Sequence, residues 1–368
     1  HLMEGLLVYG PDGELAPGVA LRWQLDADGA RFWLRDDARW SDGKPVTAHD
    51  FVFAWRHALD PKTASQYAFI FYPIKNAGAV NQGTLALSEL GVSAVSDTEL
   101  KVEFGSPCPY FLSLTAFMTF LPLREDVLAQ WGGRYAADAD KLTVNGPYLL
   151  TKWVHGAHLQ LQKNPRYWQA DSVRIAEIDM PYLTADPSAQ FNLFRDQQIA
   201  MAPLDTGLLS EAIKRGFDIE YFHTGSLYFL EFNFREGRIT GNRSFRKAVQ
   251  RLIDPALLVN KIIGLPGIQP AYSLFPVTVK GAKGSFRDEY PVLRVQPDIA
   301  AARAYIRQAK TELGISEIPP LMLLAGDSPR ALQEAEYYQY LFKNGLGIEL
   351  RIDQQVFKQR IEKMRRGD

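Results

Sequence analysis

The chain has 368 residues, 46% of them hydrophobic, and its 41 Lys plus Arg nearly balance its 42 Asp plus Glu, for a formal net charge of -1. That length exceeds what one core supports, so at least two lobes are expected, and the charge balance removes any general pull toward nucleic acid or an anionic membrane. No run of about 18 apolar residues occurs, which excludes a transmembrane helix in this sequence, and the single Cys108 has no internal disulfide partner.

In chain order, the opening reads as a helix end leading into Tyr9-Gly10-Pro11-Asp12-Gly13, a turn cluster with fixed and positive φ. The first residues show no basic region followed by an apolar stretch and a cleavage site, so any export signal is expected outside this sequence. Phe32-Trp33-Leu34-Arg35 alternates like a half-buried strand. Ser41-Asp42-Gly43-Lys44-Pro45 makes a turn, and Thr47 with Asp50 predicts a capping box before a helix that buries Phe51, Trp55, Ala58 and Leu59 and stops at Asp60-Pro61.

Strands are expected around Leu100, Val102 and Phe104, and around Leu159 and Leu161. From residue 240 onward longer helices dominate. Asn242 caps one with Phe245, Ala248, Val249 and Leu252 on a single face, a second follows Pro255 and ends at Gly264, and others run over 297–313 and 329–343. Ile348, Leu350 and Ile352 read as a strand, with Val356, Phe357, Ile361 and Met364 in a helix after it.

The search for chemistry returns no catalytic set, no metal site and no cofactor. His155 and His158 form the only tight histidine pair and read as exposed loop imidazoles, since zinc needs three or four converging donors. His1, His49, His57 and His223 are scattered. Prolines on both sides of Cys108 deny it the helix N-terminus that lowers a thiol's pKa, so it reads as a small buried apolar residue. No G-x-S-x-G elbow, P-loop or H-E-x-x-H helix is present. The closing Arg366-Gly367-Asp368 triplet is too short to carry an adhesion reading.

The stretch from Phe32 through Trp40-Ser41-Asp42-Gly43-Lys44-Pro45-Val46-Thr47-Ala48-His49-Asp50 to Trp55 resembles the hallmark of the oligopeptide/dipeptide/nickel-binding receptors of ABC importers. Ala58-Leu59-Asp60-Pro61-Lys62-Thr63-Ala64-Ser65-Gln66-Tyr67 is similar to its oligopeptide branch. Asn145-Gly146-Pro147-Tyr148, Lys163-Asn164-Pro165-Arg166-Tyr167-Trp168 and Phe232-Asn233-Phe234 match later landmarks in the same order.

The resemblance implies an α/β, two-lobed periplasmic-binding-protein-like fold with an extra domain. Residues 1–118 would form the extra domain, 119–225 part of the first lobe, and 226–368 part of the second. Members extend beyond both ends of this sequence, so the fold is expected to be incomplete at both ends, with the anchor for the peptide's amine beyond Asp368. The implied function is capture of short peptides outside the membrane, in the periplasm or at the cell surface, and their delivery to an ABC permease. The receptor would be a monomer when complete, with no nucleic-acid partner and no enzymatic step. A narrower solute (a murein tripeptide, dipeptide or metal complex) and a non-transporting scaffold or sensor are the alternatives.

The resemblance also nominates contact residues. Tyr67 matches a pocket-lining tyrosine, and Leu204 and Asp205 fall near a cleft segment. Ser226 and Phe229 lie in the stretch crossing between lobes, and Arg330 opens a helix near the peptide's far end. Alternation puts Ser226, Tyr228 and Leu230 on one strand face and Leu227, Phe229 and Glu231 on the other; the match favours Phe229 over Tyr228. Most of the long motif is expected to hold a strand–turn–helix unit together and not to touch ligand.

Overall fold

Alternation along Gly29–Leu34 buries Ala30, Phe32 and Leu34 on one face and leaves Arg31 exposed. In the computed structural model, which describes residues 1–11, 13–184, 186–221 and 224–367, this strand is β4 of an antiparallel sheet ordered β3-β4-β6-β5. Its partners are β3 (Ala20–Asp26), β5 (Val92–Ser96) and β6 (Glu99–Glu103), with Phe32 opposite Leu100 and Ala30 opposite Val102. Gly29 is required where β4 meets β6, since a Cβ there would lie 2.1 Å from the carbonyl oxygen of Val102. Asp12 of the first turn cluster, His223 and Asp368 lie outside the described residues.

The helix expected after the turn is α1 (Ala48–Leu59). Asp50 starts it by accepting from the Thr47 backbone N–H at 2.8 Å and from the Trp40 indole at 3.2 Å. Burial pushes the Asp50 carboxyl up, and these hydrogen bonds oppose the shift. Phe51, Trp55 and Leu59 are fully buried. Trp55 is the hub of the core: Phe120 and Phe111 meet it edge-on at 5.1 and 6.4 Å, Phe71 lies at 6.0 Å, and its indole donates to the Phe120 carbonyl at 3.0 Å. The short helices α2 (Ala77–Asn81), α3 (Phe111–Thr115) and α4 (Glu125–Trp131) surround this core.

The opening of the chain is not a helix end. It holds the short strand β1 (Leu7–Tyr9), paired antiparallel with β2 (Leu15–Pro17), because Leu6 and Leu7 are pulled into the core as extended chain. A second antiparallel sheet, β7-β8-β9, comprises Tyr148–Val154, His158–Lys163 and Glu177–Met180.

The chain divides into two compact units, His1–Asp186 and Pro187–Asp368. The second opens with α5 (Pro187–Arg195) and α6 (Thr206–Lys214). Its core lies between α7 (Arg243–Leu252) and α10 (Ile299–Leu313), where Phe245, Ala248, Val249 and Leu252 meet Ala302, Ile306 and Ala309. Asn242 caps α7 by accepting from the Phe245 N–H at 2.8 Å, as its sequence position requires. The segment after Asp254 is a short α8 (Pro255–Leu257) continued by a wider π turn that ends at Gly264 in a left-handed conformation. After α9 (Phe286–Glu289) and α10, β10 (Leu321–Gly326) and β11 (Leu350–Gln355) pair in parallel across α11 (Pro329–Leu341), and α12 (Phe357–Arg366) follows. Ile348 is buried but precedes β11. Among the described residues no helix is long and apolar enough to cross a membrane.

Candidate ligand-contact residues

The long motif and its later partners form a brace inside the first unit. Arg124, buried to 7% side-chain exposure, donates to Asp42 at 3.1 Å and to Asp126 through Nε at 2.7 Å. Lys44 reaches the same Asp126 at 2.8 Å, and the Arg124 and Lys44 donors hold the Asp126 carboxyl well below the usual range. Arg166 donates to the Ser41 carbonyl at 2.6 Å.

A second set of bonds secures the first residues of the chain. The Glu4 backbone exchanges two hydrogen bonds with the Asn145 side chain, at 3.0 and 2.9 Å, and the buried Glu4 carboxylate accepts from the Tyr167 hydroxyl and from the Trp168 indole at 2.6 Å. Arg35 stacks over Trp168 with its guanidinium carbon 3.2 Å from the ring centroid. Burial, opposed by these donors and by Arg35, raises the Glu4 carboxyl; burial followed by the Glu4 charge pushes the Tyr167 phenol far up. In the second unit, Asn233 and Arg238 donate to the Gly367 carbonyl at 2.9 and 2.8 Å and Arg235 to that of Arg365 at 2.6 Å, capping the end of α12. The landmarks therefore serve architecture, as the turn and capping chemistry implied.

Of the nominated contact residues, Tyr67 belongs to the first unit and the other five to the second. Tyr67 sits just before a 3-10 turn over Ala68–Phe71 and packs its ring 6.0 Å from Phe69 and 5.4 Å from Phe117. Phe69 and Phe117 remain 52% and 37% exposed, and the neighbouring Met118 is 71% exposed. The result is an open aromatic surface built on a rigid core.

In the second unit Asp205 acts locally. Its side chain accepts from the Leu208 N–H at 2.9 Å as the N-cap of α6, with half-buried Leu204 just before it. Residues 224–231 carry no strand, which corrects the alternating-face reading. No neighbouring strand offers them a ladder, and Tyr228 and Phe229 are both exposed, at 74% and 62%. Ser226 is also exposed and is tied to Thr224 by a 2.9 Å hydroxyl bond. Arg330 bonds Glu334 at 2.8 Å and places its guanidinium 5.3 Å over the ring of Tyr228, not Phe229.

Phe69, Phe117 and Met118 were missed, and Tyr228, weighed in the sequence but passed over for Phe229, is the ring that Arg330 meets. Nothing in periodicity distinguishes an exposed aromatic from a buried one in loops and single turns. The histidine pair is corrected in part: His158 lies in β8 and bonds Asp179 at 2.5 Å, whereas His155 is an exposed turn residue, as expected, and meets Asp138 at 3.3 Å. Cys108 is buried and its thiol is pushed up by burial, against the effect of Tyr110. Among the described residues no three His, Cys, Asp or Glu converge as a metal site.

Residues 14–368 match the family described as bacterial extracellular solute-binding proteins, family 5 Middle, and the chain belongs to that family. Its relatives are solute receptors. The oligopeptide-binding protein OppA of Bacillus subtilis (strain 168) is 32% identical over 380 residues, which cover 99% of this chain and 67% of that protein. The substrate-binding domain of an oligopeptide ABC transporter from Bacillus anthracis matches with a TM-score of 0.81 at 34% identity, covering 98% of this chain and 71% of the other. Listeria monocytogenes OppA, solved bound to peptide, gives 0.82 at 29%, covering 99% and 72%. The chain thus spans about two thirds of the length of the curated relative, and the two-lobed receptor fold expected from the motifs is the fold these neighbours share.

Proposed function

We propose that the protein carrying this chain captures short oligopeptides outside the cytoplasmic membrane, in the periplasm or at the cell surface, and presents them to an ABC peptide permease. The observation that carries this reading is the match, along nearly the whole of this chain, to part of oligopeptide receptors, one of them solved with a peptide bound. Residues 1–118 would be the extra domain, 119–225 part of one lobe and 226–368 part of the other, closing by hinge motion. An extended peptide offers the same backbone donors and acceptors whatever its sequence, so main-chain pairing gives affinity while roomy, hydrated pockets tolerate many side chains. Tyr67, Leu204, Ser226 and Phe229 are the proposed contacts, with Asp205 acting through its cap on α6.

Tyr67 provides the test. Calorimetric titration of a mixed tri- to pentapeptide pool is expected to saturate at one peptide per chain. In Tyr67→Ala the affinity should fall about fivefold while stability stays within about 1 kcal/mol, as for a half-exposed contact residue. Lost stability with unchanged affinity per folded molecule would remove Tyr67 from the contacts. Selective binding of one small non-peptide solute would remove the peptide reading itself.

A further inference from the structure

Charge is segregated along this chain although it nearly cancels over the whole. Residues 1–186 hold 16 Lys plus Arg against 22 Asp plus Glu, whereas residues 187–368 hold 25 against 20. Two segments of the second unit concentrate the excess: 233–251 carry six basic residues and one acid, and 356–366 carry five and one. Such asymmetry makes a local field that a near-zero total conceals.

The fold joins these two segments at the end of α12. Arg235 donates to the Arg365 carbonyl at 2.6 Å and Arg238 to that of Gly367 at 2.8 Å, while Arg246 donates to the Thr240 and Gly241 carbonyls at 3.0 and 2.6 Å. Arg365 and Arg366 are exposed in the last turn of α12, and the side chain of Arg243, exposed at the first position of α7, bonds nothing among the described residues. Neutral carbonyls orient these guanidinium groups without cancelling their charge. Glu236 and Glu362, the acids of the two segments, are exposed and pair with none of these arginines among the described residues. An apolar ring stands among the cations: Phe234 is 65% exposed, with the Arg246 guanidinium carbon 4.4 Å from its centroid.

We propose that this arginine face docks on an anionic lipid surface, its guanidinium groups meeting headgroup phosphates and Phe234 entering the interface. Guanidinium pairs with phosphate through two parallel N–H donors, and several such groups side by side suit a surface that presents many phosphates at once. An exposed phenyl among cations is the composition of an interfacial contact, whereas an acidic protein patch would leave the ring without a partner. The inference is independent of peptide capture.

Co-sedimentation of the full protein with phosphatidylcholine vesicles, and with vesicles of phosphatidylcholine and phosphatidylglycerol in equal parts, tests it. Binding to the anionic vesicles should be about tenfold tighter at low salt, and the preference should vanish at about 0.5 M salt, where exposed charges are screened. R243E should cut the preference about fivefold without disturbing the fold, since Arg243 holds no partner and Glu suits the first turn of a helix. R238Q/R243E should cut it further. K62Q/K152Q, which removes two exposed cations of the first unit, should leave it unchanged. Equal binding to the two vesicle types, or a preference that R243E leaves undiminished, would overturn the docking face. Salt-sensitive binding to soluble polyglutamate with no preference between vesicles would assign the arginines to an acidic protein and overturn the lipid reading as well.

Discussion

Trp55→Ala should lower the stability of the first unit by about 4 kcal/mol, the range for removing a large aromatic from a packed core. The indole is fully buried, meets Phe51, Phe71, Phe111 and Phe120, and donates to the Phe120 carbonyl at 3.0 Å. Truncation therefore removes transfer free energy, opens a cavity among rings that have little room to collapse, and strips a buried carbonyl of its donor. Hydrogen exchange at the α1 amides under increasing urea measures the loss in that unit alone. A cost below about 1.5 kcal/mol, the level of an ordinary surface-proximal change, would mean that Trp55 is not the hub.

Glu4→Ala should cost about 3 kcal/mol, because it leaves the half-buried Tyr167 hydroxyl and Trp168 indole without their acceptor and removes the buried counter-charge beside Arg35. The same carboxyl makes stability depend on pH. Its folded value is raised above the ordinary 4.5 by burial, so the folded state holds the proton more tightly than the unfolded chain. The stability from that proton is complete below 4.5 and is lost as pH rises through the folded value. Urea midpoints of the unmodified protein relative to Glu4→Gln should therefore improve as pH falls from about 8 to about 4. A flat difference over that span would show that Glu4 titrates no differently in the folded state.

Local chemistry was readable and long-range partnership was not. The turn at Ser41, the start of α1 at Thr47 and the Asn242 cap of α7 depend on neighbours within a few residues, and each formed where its sequence required. Glu4 meets residues more than 140 positions away, and Phe120 reaches Trp55 across 65, contacts that periodicity does not encode. Residues 226–231 alternate as a strand would, yet a strand also needs a partner for its backbone groups, and none among the described residues pairs with them. At the candidate site the same limit applies: Arg330 was legible as a cation opening a helix, but its union with Tyr228 comes from packing.

The most direct measurement is native mass spectrometry of the protein that carries this chain, mixed with a random library of short peptides. A receptor that pairs with the peptide backbone should show one adduct per chain whose mass is spread over many sequences, with peptide masses recovered on dissociation in the gas phase. A single sharp adduct of non-peptide mass, or no adduct while the protein remains folded, would contradict peptide capture.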